Sequence, residues 1–265
     1  MSIVSKLTVG LLASACMGML SAQEIISIEK PADFAPSRQV AQADGAIVLK
    51  GNGVFTSVKD LTVDPAKKYQ ISGDFCLKGG KTPSAYLGFV PYDGKNRPIT
   101  PSMIYINAKS MTEVAEAAKK GDQVIKVKDA SKWDAKSPYS FVALGAKEDL
   151  SDLPNGNCIF NKPGIKQNGE VWEIALRKPL TKDIAAGTPV RQHFAGSSYI
   201  YTAGMLKPTE QWTARKGVIS GIAKHGPSYV KFWKGTEKAK VVVLVLNGDG
   251  KTETLVRNIK VVEVK

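Results

Sequence analysis

The feature that most constrains this chain is a two-residue alternation of apolar and polar side chains, broken at short intervals by turn signals. From Ala46 onward such stretches recur about every 8–12 residues, the spacing of a sandwich or barrel. KYQISGDFCL shows the pattern well: Tyr69, Ile71, Phe75 and Leu77 share one face, and Gln70, Ser72, Asp74 and Cys76 share the other. A strand sends successive side chains to opposite faces, so this segment predicts a sheet with one side in a core. AYLGFVPY sets Leu87 and Phe89 against Tyr86, Val90 and Tyr92. YVKFWKGT likewise sets Val230 and Phe232 against Tyr229, Lys231 and Trp233. The run Val241–Leu246 is long and β-branched enough for a central strand. Asn247-Gly248-Asp249-Gly250 then predicts a hairpin, because these residues accept positive φ at little cost. Asp93-Gly94 reads as a hairpin corner, with Ile99 starting the return strand.

The middle of the chain departs from this rhythm. In SMTEVAEAAKKG, Ser110 and Glu113 have capping-box spacing, the interior is rich in Ala, and Gly121 suits the residue after a helix. The predicted fold is therefore mainly β. It is an antiparallel β-sandwich of jelly-roll type, interrupted at about 107–193 by a mixed α/β insertion containing one short helix.

The first 22 residues are set aside before any fold argument. Lys6 precedes an apolar, small-residue run from Leu7 to Leu20, and the chain turns polar at Gln23. That is the layout of a secretory signal peptide, with cleavage expected after Ala22 and a mature domain over 23–265. Ala13-Ser14-Ala15-Cys16 also resembles a weak lipoprotein box, so membrane attachment is expected only through lipidation of Cys16. The expected location is outside the cytoplasm: periplasmic, cell-surface or secreted. Two cysteines then remain, Cys76 and Cys158, in a compartment that permits disulfides. A bridge would close a large loop and remove on the order of 4 kcal/mol of unfolded-state entropy. Two free thiols are the alternative, and spacing does not decide between them.

Charge narrows the partners. Lysine and arginine number 37 against 24 acidic residues, a net +13, of which the leader contributes only Lys6. An exported basic protein meets acidic or sulfated glycans and anionic lipid surfaces. Nucleic acid is not expected, because the lysines are spread and no dense arginine tract occurs.

Catalytic motifs are sparse. The two histidines, His193 and His225, lack metal spacing, and no nucleophile elbow, P-loop or dinucleotide fingerprint is present. A glycoside hydrolase would need paired carboxylates, for which Glu170, Glu173, Asp149 and Asp152 are the candidates. No cofactor is expected beyond a structural calcium ion, for which SDLPNGN and Asn247–Gly250 supply oxygens without an EF-hand loop.

The alternating aromatics are more informative. Sugars present flat C–H faces, which a Tyr or Trp ring on a rigid sheet matches while polar neighbours bond the hydroxyls. Tyr86, Tyr92, Tyr229, Lys231 and Trp233 are the expected ligand contacts.

The strands DPAKKYQISGDF, AYLGFVPYDGKNRPI, QWTARKGVISG and YVKFWKGTEKAKVVVLVLN, with the closing LVRNIKVVEV, resemble carbohydrate-binding-module-like, galactose-binding-like jelly rolls of exported bacterial proteins. The resemblance covers roughly 62–104 and 211–264. It implies sugar binding. In the family an Asp often precedes the Asn-Ile turn and can belong to a calcium site; here Arg257 stands before Asn258-Ile259. The expected function is non-catalytic glycan binding. Two alternatives are a cell-envelope adhesion or structural protein and a glycan-active hydrolase.

Overall fold

The computed structural model describes residues 23–265; the expected signal peptide and Cys16 lie outside the described residues. Strand accounts for 48% of the described residues and helix for 3%, so the mainly-β class holds. Six strands precede the middle segment: β1 (Gln23–Ile28), β2 (Val40–Ala43), β3 (Ala46–Lys50), β4 (Gly53–Thr62), β5 (Lys68–Gly79) and β6 (Ser84–Tyr92). A single short helix, α1 (Pro101–Ile104), leads into β7 (Thr112–Glu113), β8 (Val124–Val127), β9 (Ser140–Leu144), β10 (Cys158–Phe160), β11 (Lys166–Asn168), β12 (Val171–Ala175) and β13 (Pro189–Phe194). The chain closes with β14 (Met205–Leu206), β15 (Thr213–Ser220), β16 (Lys238–Leu246) and β17 (Glu253–Val264).

Two antiparallel sheets form the sandwich. One runs β15-β5-β17-β3-β2, with β1 completing the free edge of β17; the other runs β14-β6-β16-β4. From β3 to β6, and again from β14 to β17, successive strands alternate between sheets or lead into the next crossing, which is the jelly-roll path. The inward faces carry the alternation expected from sequence: Tyr69, Ile71 and Phe75 from β5 meet Ala85, Leu87 and Phe89 from β6 and Val241, Val243 and Val245 from β16. Burying each large apolar side chain contributes roughly 1.5–3 kcal/mol. Strand β16 is central, as its branched run predicts.

Asn247–Gly250 is not a hairpin. Strands β16 and β17 belong to opposite sheets, so this turn carries the chain across the edge of the sandwich. Asn247 has φ +62, the conformation anticipated, but positive φ serves a crossing as well as a hairpin. Asp93 is a corner. Tyr92 pairs with Pro98, and the Asp93 carboxylate accepts from the backbone N–H groups of Lys95 and Arg97 while pairing with the Arg97 guanidinium at 2.7 Å.

The middle segment has its own core, including Val114, Ile125, Val127, Trp133, Val142, Leu144, Ile174 and Val190. Two small antiparallel sheets surround it, β10-β9-β13-β7 and β11-β12-β8. The helix expected over Ser110–Gly121 does not form. That stretch is extended because its backbone bonds outward: Val114 N–H donates to Thr188 O at 2.9 Å, Ala115 N–H to Lys126 O at 2.8 Å, and Ala118 N–H to Ile184 O at 2.9 Å. The same conformation buries Val114 and Ala118. Ser110 Oγ donates to Asn107 O and accepts from Gln192 N–H instead of capping a helix. Pairing on both sides outweighs the modest helix preference of an alanine-rich run. The short helix of the chain is α1, at the entrance to this segment.

Residues 199–204 run along the edge of β6 into β14, and the Thr202 carbonyl passes close to Gly217 of β15. Ile200 exchanges backbone hydrogen bonds with Phe89 and enters the core, while Tyr201 stays on the surface. Two glycines make room. A Cβ at Gly88 would overlap the Ile200 carbonyl oxygen, and one at Gly217 would overlap the Thr202 carbonyl oxygen. Backbone cannot swing away as a side chain can, so either Gly→Ala change forces a main-chain shift costing about 1–3 kcal/mol. Urea unfolding of Gly88→Ala and Gly217→Ala is expected to show that loss. Gly79→Ala, where a Cβ meets open space, is expected to unfold within about 0.5 kcal/mol of the parent. Equal stability of all three would refute the close-approach account.

Candidate functional site

The outer face of the β14-β6-β16-β4 sheet can be read from its register. One row runs Met205–Tyr86–Leu244–Val54 and another runs Tyr92–Lys238–Thr62. Between them Lys240 lies opposite Val90 and Asp60, with its Nζ 3.6 Å from the Asp60 carboxylate. Tyr201, delivered by residues 199–204, sits over this face. Its ring is 4.6 Å from that of Tyr86, 6.0 Å from Tyr199 in an edge contact, and 6.3 Å from Tyr229 in a near-parallel stack at 23°. Burial raises the Tyr201 and Tyr92 hydroxyl pKa values, and at Tyr92 the nearby Asp60 and Tyr199 push the same way. All these tyrosines keep part of their surface open, Tyr229 being 50% exposed.

Tyr86 and Tyr229 are thus brought together as rings of one cluster, with Tyr201 between them. Tyr92 lies on the same sheet face, toward Tyr199. Lys231 is exposed beside Tyr229. Trp233 does not belong to the surface: it is fully buried, packed in the sandwich core, with its Nε1–H donating to Ser228 O at 3.1 Å. The expected alternation of YVKFWKGT fails because Phe232 and Trp233 are neighbours and both go inside. Phe232 meets Tyr69 edge-on at 6.0 Å and Phe89 at 5.7 Å, so the segment is a loop pinned by two adjacent anchors. Tyr199 and Tyr201 escaped the sequence analysis, although Tyr199-Ile200-Tyr201 carries a period-two signal of its own.

A second constellation lies at the junction of the two cores. Arg191 and Asp152 form an ion pair at 2.7 Å with side chains 1% and 5% exposed. Arg191 also donates Nη1–H to Lys147 O at 3.1 Å and Nε–H to His193 Nε2 at 3.1 Å. A guanidinium has only donors, so His193 Nε2 must accept and Nδ1 must carry the proton, which it gives to Ser102 O at 2.7 Å. Cys158 Sγ lies 3.8 Å from that same Nδ1. A Cys–His nucleophile needs a nitrogen able to take the thiol proton, and here the facing nitrogen already holds one. Burial pushes the Cys158 thiol up to about 12, and burial with the Arg191 charge pulls His193 down to about 4. The cluster therefore holds a neutral imidazole and a protonated thiol, and ties α1, β10 and β13 together.

Cys76 and Cys158 are both free thiols, so the candidate bridge is not present. Cys76 packs on the outside of the larger sheet with Ala46, Val48 and Leu255, whereas Cys158 sits in β10. Of the candidate acids, Asp152 is committed to Arg191, Glu173 accepts from Asn168 and faces Lys166, and Asp149 accepts from the Ser151 N–H. Glu170 is exposed in the β11–β12 turn. The Asp249 carboxylate accepts from Thr252 Oγ1 and the Lys251 N–H within its own turn. Among the described residues no group of three His, Cys, Asp or Glu side chains is placed to hold a metal ion.

Comparison with protein-family models and with curated proteins finds no match to this chain.

The junction makes stability pH-dependent with a definite sign. His193 stays neutral in the folded chain down to about pH 4, but protonates near its ordinary 6.5 when unfolded. Between those values the unfolded state binds more protons, so stability falls as pH drops from about 6.5 to about 4, by on the order of 3 kcal/mol. Carboxylates held low by hydrogen bonds, such as Asp93 and Asp249, add their losses only below that window. Urea midpoints across this range are expected to decline in the parent and to flatten in His193→Gln. An undiminished decline in the variant would place the titration elsewhere.

Proposed function

We propose that this is an exported, non-catalytic carbohydrate-binding protein, and that glycan lies on the tyrosine face of the β14-β6-β16-β4 sheet. The observation that carries this reading is the clustering of Tyr86, Tyr199 and Tyr229 around Tyr201, all partly open to solvent. A ring held by neighbouring rings loses little conformational freedom on binding, and its flat apolar face matches the C–H face of a pyranose. Lys238, Lys240 and Asp60 border the same face and offer donors and acceptors to sugar hydroxyls. The resemblance to carbohydrate-binding jelly rolls supports the same reading at the level of fold and motif.

The exposure of Val54 at 48% and Met205 at 46%, in the row that holds Tyr86, favours a second reading. An apolar margin beside aromatic rings also suits an adhesion surface for a protein partner.

A glycan-array screen of the mature chain at low and high salt separates the two. Binding through stacked rings survives high salt, because screening weakens only exposed charge pairs. Tyr201→Ala is expected to weaken the recognised glycan about tenfold, or roughly 1.4 kcal/mol, without loss of fold by circular dichroism. Binding to no glycan, or binding unchanged by both Tyr201→Ala and Tyr229→Ala, would sink the carbohydrate reading and leave adhesion ahead. Trp233 is no test of the site, since its removal would hollow the core.

A further inference from the structure

The middle segment carries a cleft of its own, about 890 Å³, between β10 and residues 177–181. That volume falls within the range of small-ligand sites. Every charged side chain lining it is a cation: Lys162, Arg177 and Lys178. None of the three forms an ion pair among the described residues. The apolar walls include Phe160, Pro179 and Leu180.

Arg177 is held in place before any ligand arrives. Its guanidinium lies 4.1 Å over the Phe160 ring, and that ring is stacked on Phe141 at 4.6 Å and 15°. One nitrogen, Nη2, donates to Pro138 O at 2.7 Å, leaving the other N–H groups uncommitted. A fixed planar guanidinium is a strong receptor for carboxylate or sulfate, because its fork of donors matches two oxygens and little side-chain entropy remains to be lost. The two flanking lysines add charge without dictating geometry.

We propose that this cleft binds an acidic saccharide, its C–H surface lying on Pro163 and Pro179 and its carboxylate or sulfate groups on Arg177, Lys162 and Lys178. An acidic peptide strand is the competing occupant, but the edge it would need is already taken. Phe160 O accepts from Arg177 N–H at 2.9 Å and Lys162 N–H donates to Ala175 O at 2.7 Å, which closes the outer side of β10 to strand addition. A compact ligand recognised by apolar C–H contacts and anionic groups fits what remains. The site stands apart from the tyrosine face and does not depend on it.

The test is calorimetric titration of the mature full-length chain with size-matched oligosaccharides: one carrying uronate groups, one carrying sulfates and one neutral. Poly-glutamate serves as the peptide arm. One or both acidic sugars are expected to bind and the neutral one not to bind in the cleft; which acid binds tells carboxylate from sulfate. The double variant Lys162→Gln/Lys178→Gln, which changes two exposed side chains, is expected to bind at least tenfold more weakly and with a smaller salt dependence. Tyr201→Ala is expected to leave this binding in place. Equal binding by the double variant overturns the proposal, as does loss of binding in Tyr201→Ala alone, which would move the anion to the tyrosine face. Poly-glutamate binding as tightly as the sugars, or the absence of any acidic-sugar binding, overturns it too.

Discussion

One buried ion pair organises the junction between the two cores. Arg191 and Asp152 leave water together where β13 returns from the middle segment toward the sandwich, and each buried charge is tolerable only because the other is there. Around them the hydrogen bonds are directional. Arg191 sets the tautomer of His193, His193 fixes on the Ser102 carbonyl, and Asn155 donates to both Leu144 O and Asp152. Apolar groups of the same volume could fill this space with equal or greater stability, but they would not specify one rotational setting. The pair is better understood as choosing an orientation than as supplying net stability. Its neighbour Cys158, whose thiol burial pushes up to about 12, is part of the same packing.

A similar logic places the tyrosine face. Tyr201 is positioned by the residue before it: Ile200 is drawn into the sandwich core, and the alternation of an extended chain then turns Tyr201 outward. Gly88 and Gly217 permit this by omitting side chains where the Ile200 and Thr202 carbonyls pass. The ring cluster is thus set by backbone positions that are themselves fixed by the core. Such a surface is more rigid than one borne on a free loop, which is what a stacking platform for a flat ligand requires.

How much of this was legible follows from which forces act locally. Period-two alternation in β5 and β6 is dictated by a face in a core, and the branched run of β16 by burial of a central strand, so those strands read out directly. Tyr86 was visible for the same reason, whereas Tyr229 was named from an alternation that its loop does not have. Trp233 was not, because a loop anchored by two adjacent aromatics breaks the parity on which the inference rested. The extended course of Ser110–Gly121 was hidden because its backbone partners, Thr188, Lys126 and Ile184, lie far away in sequence, whereas its alanines and its Ser–Glu spacing speak only for local structure. The sheet-crossing role of Asn247–Gly250 was hidden likewise: positive φ announces a reversal of direction, not which sheet the next strand will join. Cys76 and Cys158 show the same limit, since each found a separate small packing site that spacing could not reveal.

The two candidate surfaces also divide the chain's excess positive charge in an instructive way. On the tyrosine face the cations are partly neutralised, Lys240 by Asp60, while Lys238 donates to Asn96 Oδ1 at 3.0 Å. A ligand on that surface would be held mainly by rings, with long-range attraction adding little. In the cleft of the middle segment the cations stand without acids and beside a ring already capped by a guanidinium. The field there acts on the ligand directly, so affinity should depend on ionic strength in one site and hardly at all in the other.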